Sequence, residues 1–440
     1  MKLKFDKKYM DIGTTPFNYL RTLQLISSGG AEINECLLAA GKINDKDANS
    51  WTKEWGAIAE NTMEKAGRYL KRGELASARG AYLRACNYYR TAMFPLPPTN
   101  ALLNKYLLLS RENFHKAARL FSPIIETVDI PMGNAKLPAY YLSCGKPNSP
   151  TLVAVNGGDS TNEELVHWIG FAAIERGWNC IIFEGPGQWS ALQLNPGLYL
   201  RPDYEVAVKA VIDYVTERND VDPGRIALIG YSLGTQFAIR GTVFDERVKA
   251  CICSGGVIVD VYEAWHAVWP VILQKAPPKI FNAVFGFLEK VSNQLHGITN
   301  RFRGMMGVTK PFDIVEYWKP FNIKSLAPKM TKPLLLLLGE AEYEQSNEAV
   351  ALSMLQFFSE LACSVYIHEF TYSDGWAASH CQIGGLAPTQ AIIFDWLEEI
   401  VNTKEEPIKT GTPFNWEMIE KYFKSAGIKQ LKERLKMTMI

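Results

Sequence analysis

Several features that would assign a protein to a class at once are missing from this sequence of 440 residues. Basic and acidic residues nearly balance, with 47 Lys and Arg against 46 Asp and Glu, and no long block carries one sign. A nucleic-acid-binding protein needs a basic face, so this balance argues against that class. No apolar run approaches the roughly 18 residues of a membrane span. We therefore expect neither a nucleic-acid partner nor a membrane partner.

The sequence also lacks the signals of secretion and of metal binding. The N-terminal stretch MKLKFDKKYMDIG contains basic residues, but no apolar stretch follows them, so we expect no secretory signal. The eight cysteines are scattered and form no C-x-x-C pair, which argues against zinc sites and a disulfide framework. Cys251 and Cys253 are two positions apart on a predicted strand, so they share one face of it, and we interpret them as small core residues. These absences predict a cytoplasmic protein without a metal or another cofactor.

Residues 1–122 are predicted to form an N-terminal helical cap domain. Over residues 50–94, apolar and small side chains recur every three or four positions, which is typical of amphipathic helices. Gly73 divides this stretch into a helical hairpin. The hairpin resembles one tetratricopeptide unit, but no second copy follows, and a single unit cannot bury its own face. We therefore do not expect a repeat array.

Residues 123–402 alternate between short apolar segments and helical segments. Two segments around the turn GNAK predict an antiparallel pair of strands. The segments that follow are apolar and largely non-alternating, as in a parallel sheet covered on both faces. The predicted fold class is therefore α/β, a doubly wound and mostly parallel sheet. Its parallel strands are TLVAVNGG, NCIIFEGPGQ, RIALIGYS, VKACICSGG, PLLLLLGE and SVYIHEF.

Two further regions frame this sheet. Residues 257–328 interrupt the alternation, and a compact domain rarely keeps so long an insertion as bare loop. We predict a helical lid above the carboxyl edge of the sheet, where open α/β sheets bind ligands. Residues 403–440 predict a helical tail that packs either on this body or on another subunit, so a homodimer is possible.

The segment LIGYSLGTQF supplies the candidate nucleophile. Ser232 lies between Gly230 and Gly234 in a G-x-S-x-G pattern, directly after a predicted strand and directly before a predicted helix. That pattern forms a sharp turn in which a serine is exposed as a nucleophile. Small residues are needed on both sides because the turn brings backbone against backbone. The motif alone also fits an ordinary turn whose serine caps a helix.

A nucleophilic serine in such a fold needs an acid and a histidine base, which follow it in that order along the chain. Of the six histidines, His380 alone occupies the loop after the last predicted strand, where the base is expected. The acid is expected after the preceding strand, where Glu342 follows the strand-ending Gly339 by three positions. Glu340 is the nearest competitor. Asp260 is another, since some hydrolases carry the acid one strand earlier.

The oxyanion hole needs two backbone N–H groups. Leu233, directly after the candidate nucleophile, is expected to supply one of them. The other is expected from the loop NGGDST, from Gly158 or from its neighbour Asp159. These glycines also fit a simple turn, but they follow the strand from which the donor is expected.

The insertion indicates the kind of substrate. Its aromatic residues favour a bulky, flat or hydrophobic acyl group, although aromatic residues also fill ordinary cores. Glu263 would meet a cationic group if it faces the pocket, and otherwise it is simply exposed. The residues that we assign to the substrate pocket are Trp189, Tyr231, Glu263 and Trp265.

In these segments the sequence resembles the α/β hydrolases that carry a long N-terminal helical domain. That family includes dihydroxypseudooxynicotine hydrolase and a fungal pigment-pathway hydrolase that shortens a polyketide. The resemblance covers about residues 15–402 and implies a Ser-acid-His triad at Ser232, Glu342 and His380. It also implies a site roofed by the N-terminal helices and the insertion, and hydrolysis of an acyl or C–C bond. Its marks are SWTKEW, SARGAYLRACNYYR, GGDSTNEE, EGPGQ, VDPGRIALIGYSLG and ASHCQIG.

Three positions depart from that family's pattern. Trp189 follows EGPGQ where the family often has glycine, Thr235 replaces a second glycine after the elbow leucine, and the acid is glutamate instead of aspartate. These departures affect the prediction of the substrate more than the prediction of the catalytic residues. We expect Trp189 to lie near the pocket and to narrow it.

The sequence thus predicts a serine hydrolase that forms an acyl-enzyme. The bond cleaved would be the C–C bond of a β-diketone or of an acyl-polyphenol, polyketide-like substrate, or an ester bond. A carboxylesterase or a peptidase-type acyl hydrolase is the alternative within enzymes. A catalytically inactive hydrolase fold that binds a partner through its helical N-terminus is the alternative from another class.

Overall fold

The computed structural model describes residues 14–44, 47, 49–267, 269–373, 377–402 and 414–438. The stretch 1–13, for which we predicted no secretory signal, lies outside the described residues. Residues 374–376 of the histidine loop and residues 403–413 of the predicted tail also lie outside them. Within the described part, no helix is both long and apolar enough to cross a membrane.

The N-terminal part of the chain is helical, as predicted. Gly73 separates the two helices of the predicted hairpin, which pack through small residues such as the fully buried Ala59 and Ala81. The larger side chains of Trp55 and Tyr88 fill the remaining space, with ring centroids 5.5 Å apart. The helices are α1 (Thr15–Leu23), α2 (Ile33–Ala40), α3 (Ser50–Lys71), α4 (Leu75–Met93) and α5 (Ala101–Ala118).

An eight-stranded sheet lies at the centre of the fold. Its strands are β1 (Glu126–Met132), β2 (Ala135–Leu142), β3 (Ser149–Val155), β4 (Asn179–Phe183), β5 (Val221–Tyr231), β6 (Val248–Ser254), β7 (Leu334–Gly339) and β8 (Val365–Phe370). Their order is β1-β2-β4-β3-β5-β6-β7-β8, antiparallel from β1 through β2 to β4 and parallel beyond. The predicted doubly wound, mostly parallel α/β fold is confirmed.

The helices that follow β3, β4 and β5 cover both faces of the sheet. On β5, Leu228 packs into one core and Ile229 into the other. The helical segment after β3 is interrupted by a π-helical turn at Val166–Gly170, and a short helix follows β4. These helices are α6 (Asn162–Leu165), α7 (Phe171–Glu175), α8 (Trp189–Leu194), α9 (Glu205–Thr216) and α10 (Gly234–Phe244).

Helices also fill the region between β6 and β7. The two ends of this insertion meet at its base, where Val261 N–H donates to Phe321 O at 3.1 Å and Ile323 N–H to Val259 O at 3.0 Å. The insertion has a small aromatic core of its own. Its helices are α11 (Val261–Ala267), α12 (Val271–Gln274), α13 (Pro278–Val291), α14 (Asn293–Met306) and α15 (Pro311–Tyr317).

The C-terminal helices complete the fold. They are α16 (Glu340–Gln345), α17 (Glu348–Ser359), α18 (Leu386–Asn402), α19 (Trp416–Tyr422) and α20 (Ala426–Thr438). Lys421 and Tyr422 of α19 both bind Glu340 of α16, the Tyr422 hydroxyl at 2.7 Å. Of the two predicted alternatives, the described part of the tail therefore packs on the body of its own chain.

A buried ion cluster joins the N-terminal helices to the sheet. Arg21 of α1 donates to both carboxylate oxygens of Glu164, at 2.7 and 2.6 Å, and to Asp159 at 3.0 Å. Arg90 of α4 lies 3.3 Å from the same Glu164. Buried charges are tolerated when they are paired and hydrogen-bonded in this way. The cluster fixes the N-terminal helices beside the loop that follows β3.

Arg21→Met is expected to lower the free energy of unfolding by about 3–5 kcal/mol, because a buried carboxylate loses its main partner. Glu164 is fully buried and would keep only the 3.3 Å contact with Arg90. Denaturant unfolding measures the loss. As a control, Arg201→Met removes a half-exposed pair with Asp203 and should cost at most about 1 kcal/mol. Equal losses in the two variants would show that the cluster does not hold the helices in place.

Candidate active site

Ser232 lies in a strained turn at the carboxyl end of β5. Its φ of +55° is in the left-handed region, which residues other than glycine rarely adopt. A Cβ at Gly230 would lie 2.2 Å from Gly234 O, and a Cβ at Gly234 would lie 2.5 Å from Val155 O. Only glycine fits at both positions. The turn therefore has the geometry predicted for the elbow, and Ser232 remains partly exposed.

A series of hydrogen bonds connects the three residues that the sequence proposed. His380 Nε2 lies 2.9 Å from Ser232 Oγ, and His380 Nδ1 lies 2.7 Å from Glu342 Oε1. The other carboxylate oxygen of Glu342 accepts the N–H of Gly339 at 2.9 Å. A carboxylate that binds Nδ1–H leaves Nε2 free to accept a proton from the serine.

The histidine loop is packed tightly against the ends of β6 and β7. A Cβ at Gly339 would lie 2.1 Å from Ala378 O, so the loop backbone touches the strand end. Ser254 at the end of β6 donates its hydroxyl to Gln382 Oε1 at 2.8 Å. Cys381 and Gln382 have φ values of +52° and +53°, which are strained for side chains of this kind. These contacts fix the orientation of the imidazole between the two strands.

The pKa of His380 is raised well above the ordinary value of 6.5. Burial alone would lower this pKa, but the neighbouring Cys381 and the hydrogen-bonded carboxylate of Glu342 outweigh the effect of burial. A carboxylate beside an imidazole favours its protonated form. The surroundings of His380 therefore stabilise the imidazolium that forms when the histidine accepts a proton.

The competing acids and histidines bind elsewhere. Glu340 binds Tyr422 of the tail, and Asp260 binds Asn322 at the base of the insertion. In the described structure, neither carboxylate contacts His380. The remaining histidines contact other residues, namely Tyr140, Ser28, Tyr262, Asn300 and Phe370. Across the residues that the structure describes, no group of His, Cys, Asp and Glu is suited to hold a metal ion.

The loop of residues 156–159 after β3 lies against the candidate nucleophile. A Cβ at Gly157 would lie 3.2 Å from Ser232 Cβ. Gln188 Nε2 holds the loop by donating to two of its carbonyl oxygens, at 2.7 and 2.8 Å. Three backbone N–H groups near the serine donate no hydrogen bond within the described part of the chain, those of Leu233, Gly158 and Asp159. These are the three donors that the sequence proposed for the oxyanion hole.

Trp189 lies beside the same loop, under the insertion. Its Nε1 donates to Asp159 O at 3.0 Å. Arg301 of α14 stacks over the indole, with its guanidinium carbon 3.2 Å from the ring centroid, and its Nε donates to Gly158 O at 2.7 Å. The insertion therefore contacts the loop of the oxyanion donors directly.

Two side chains that hold this loop were not predicted from the sequence. Gln188 belongs to EGPGQ, directly after a strand that ends at the same edge of the sheet, and this position is a signal that could have identified it. Arg301 lies in the middle of a helix of the insertion. No local pattern distinguishes it from the other basic residues of that helix.

The other predicted pocket residues have different surroundings. Tyr231 is buried next to the elbow, edge-on to the ring of Trp168 at 5.3 Å. Glu263 is exposed and pairs with Lys324 at 2.6 Å, as expected for a glutamate outside the pocket. Trp265 packs on other aromatic rings of the insertion. Tyr231 borders the loop of the oxyanion donors through its backbone oxygen, which lies against Gly157, whereas Glu263 and Trp265 have no described contact with that loop.

The sequence is similar to known hydrolases over most of its length. Residues 12–272 match the family described as "Esterase FrsA-like". The chain is 32% identical over 332 residues to the hydrolyase poxO of Penicillium oxalicum, covering 70% of this chain and 77% of that protein. It is 29% identical over 420 residues to the 20-hydroxy-prefusarin hydrolase FUS2 of Gibberella moniliformis, covering 89% of this chain and 97% of that protein.

Solved structures share the whole architecture. The crystal structure of the 2,6-dihydroxy-pseudo-oxynicotine hydrolase matches with a TM-score of 0.69 at 19% identity, covering 89% of this chain and 100% of that one. AbyA5 matches with a TM-score of 0.59 at 16% identity, covering 86% and 94%. At these identities the likeness concerns the fold. Its extent shows that the N-terminal helices belong to the shared architecture together with the sheet.

Proposed function

The chain belongs to the FrsA-like esterase family and is an α/β hydrolase, and from this premise we propose that it cleaves a bond beside a carbonyl through an acyl-enzyme on Ser232. The observation that carries the proposal is the unbroken hydrogen-bonded series from Glu342 through His380 to the serine hydroxyl, at 2.7 and 2.9 Å. A nucleophile within reach of a base, and a base oriented by a third group, is the arrangement that activates a serine.

In the proposed reaction, His380 takes the proton of Ser232 while the serine oxygen attacks the substrate carbonyl. Glu342 remains ionised and stabilises the imidazolium. The N–H of Leu233, with that of Gly158 or Asp159, binds the negative charge that develops on the carbonyl oxygen. His380 then protonates the leaving group, and a water activated by the same histidine releases the carboxylic acid.

We propose a small-molecule substrate with a hydrophobic or aromatic acyl group, either a β-diketone or acyl-polyphenol of polyketide-like type cleaved at a C–C bond, or an ester. The aromatic core of the insertion and the position of Trp189 beside the oxyanion loop support a flat or bulky acyl group. The similarity to a 20-hydroxy-prefusarin hydrolase also supports a polyketide-like substrate. Ester hydrolysis is the second candidate, supported by the description of the family as esterases.

Product analysis on a panel of β-diketones, aryl esters and acyl-peptides tests this function. We expect the purified protein to release a carboxylic acid from a β-diketone or an aryl ester, and Ser232→Ala to release none. Turnover of the acyl-peptides alone would favour the peptidase alternative. The absence of turnover on every member, together with no labelling by a fluorophosphonate, would instead favour a binding protein.

The acid side of the pH profile is expected to have its inflection above pH 6.5. His380 must be neutral to accept the proton, and its pKa in the free enzyme is raised, so kcat/KM should rise as the pH passes through that higher value. The titratable groups that face the imidazole are Glu342, Cys381 and Asp159. Glu342→Gln should move the inflection to lower pH, because the carboxylate that favours the imidazolium is lost. An inflection at or below 6.5 in the wild type would contradict this role of the carboxylate.

A further inference from the structure

The guanidinium of Arg301 lies in the candidate site without a carboxylate partner. Its Nε binds Gly158 O at 2.7 Å, and its flat face covers the ring of Trp189. One of its terminal nitrogens is buried and has no hydrogen-bond acceptor in the described structure. The helix α14 therefore brings a cation with an unused donor to the edge of the loop that carries the oxyanion donors.

Two arginines close to Arg301 in space or along the chain are paired with acids. Arg21, which is buried beside the same loop, binds both oxygens of Glu164. Arg303, on the same helix as Arg301, binds Glu289 at 2.8 Å. Within the described residues, Arg301 has no ion pair of this kind. Because a buried donor is costly without an acceptor, the unused terminal nitrogen of Arg301 is suited to an acceptor that a substrate brings.

The charge of Arg301 persists at neutral pH. Burial lowers the pKa of its guanidinium to about 9, although the charges of Asp159 and Glu184 act to raise it. A group with this pKa is still a cation at pH 7. An anion placed against it gains from the low polarity of the surroundings.

The position of Arg301 also connects it to the reaction. It binds the carbonyl of Gly158, and the preceding Gly157 packs so closely that a Cβ there would lie 2.6 Å from Tyr231 O and 3.2 Å from Ser232 Cβ. A substrate whose acyl carbon is attacked by Ser232 therefore has its neighbouring atoms close to this loop. A planar guanidinium stacked on an indole presents its N–H edge to a planar anion.

We propose that Arg301, held on Trp189, binds a second oxygen of the substrate, namely the enolate oxygen that forms when the C–C bond of a 1,3-dicarbonyl breaks. This inference rests on the proposed acyl-enzyme mechanism. Ser232 Oγ bonds to the acyl carbon, the C–C bond breaks, and its electron pair passes to the α-carbon and the second carbonyl oxygen. His380 returns its proton to the α-carbon, and water then releases the acid, so the products are a carboxylic acid and a ketone. Cleavage of an ester produces no such enolate.

Arg301→Met tests this assignment with two substrates that share one acyl group, an aryl 1,3-diketone and the methyl ester of the same aryl carboxylic acid, whose leaving group is neither an enolate nor a phenolate. Loss of one charge-stabilising donor is expected to lower kcat on the diketone by roughly 10²–10³-fold. On the ester, kcat should fall less than tenfold, because there the variant loses only the hydrogen bond to Gly158 O. Arg303→Met is the matched control on the same helix and should leave the ratio of the two rates unchanged. Equal losses of Arg301→Met on both substrates would overturn the inference.

A binding measurement separates failure of this inference from failure of the proposed catalysis. Ser232→Ala cannot form the acyl-enzyme, so an aryl 1,3-diketone should remain intact, and its enolate can be detected by ultraviolet absorption. We expect a larger enolate fraction on binding to Ser232→Ala, and its loss in the double variant Ser232→Ala/Arg301→Met. Enolate that does not increase, or that persists in the double variant, would overturn the role of Arg301 whatever the turnover of the wild type.

Discussion

Ser232→Ala is expected to lower kcat by about 10⁶-fold, because a triad acts as a unit and the loss of its nucleophile removes the acyl-enzyme route. Ser232 lies in a turn whose two flanking positions accept only glycine, because a Cβ there would lie 2.2 or 2.5 Å from a backbone oxygen. Its hydroxyl is the group that meets His380 Nε2. Steady-state rates on the best substrate of the panel, with thermal unfolding to verify the fold, measure the effect.

The matched control is Ser254→Ala. Ser254 is also buried near the histidine, at the end of the neighbouring strand, but its hydroxyl donates to Gln382 instead of meeting the imidazole. We expect kcat of Ser254→Ala to fall about tenfold at most, because the variant loses one neutral hydrogen bond of about 1 kcal/mol. A Ser232→Ala variant that keeps more than a hundredth of the wild-type rate would mean that another residue is the nucleophile.

Glu342→Gln is expected to lower kcat by about 10³–10⁴-fold, since an amide cannot hold the imidazole in the required tautomer and cannot stabilise its charge. The carboxylate accepts from both His380 Nδ1 and Gly339 N–H, so its orientation is fixed from two sides. The geometry of the site should survive the substitution, and the loss should appear in kcat more than in KM.

Glu340→Gln is the control for this prediction, since it changes the same group two positions away. Glu340 binds Lys421 and Tyr422 of the tail and the N–H of Tyr372. We expect little change in kcat and a lower melting temperature, because the tail loses its anchor on α16. If Glu340→Gln were the inactive variant and Glu342→Gln the active one, the acid of the triad would be assigned to the wrong residue.

The fold could be predicted because its signals are local. The leucine run 334–338 is buried along its whole length, as a strand covered on both faces should be. The elbow is specified within five positions, since Gly230 and Gly234 touch each other across the serine. The candidate base and acid could be proposed because each follows a parallel strand, and such strands end at one edge of the sheet.

Short or irregular elements gave weaker signals. The helices α8 and α16 have six residues each, fewer than two turns, so no apolar period can be read from them. The π-helical turn at Val166–Gly170 has much the same apolar spacing as an α-helix, so the sequence does not distinguish the two. Glu342 consequently lies on a helix that no pattern in the sequence indicated.

Contacts between distant segments could not be predicted at all. Arg21 binds Glu164 and Arg301 binds Gly158, each across 143 positions of the chain. The composition of the insertion indicated an aromatic lid, but the direction of each side chain depends on how α11–α15 pack. Glu263 illustrates this, since it pairs with Lys324 at the surface.

The central claim is that Ser232 is the reactive nucleophile, and the site of covalent modification by a fluorophosphonate tests it most directly. Mass spectrometry of the digested protein is expected to find one adduct, on the peptide that contains Ser232. His380→Ala should slow its formation by several orders of magnitude, because the serine loses its base. Wild-type protein that carries no adduct, or carries it on a different residue, would contradict the claim.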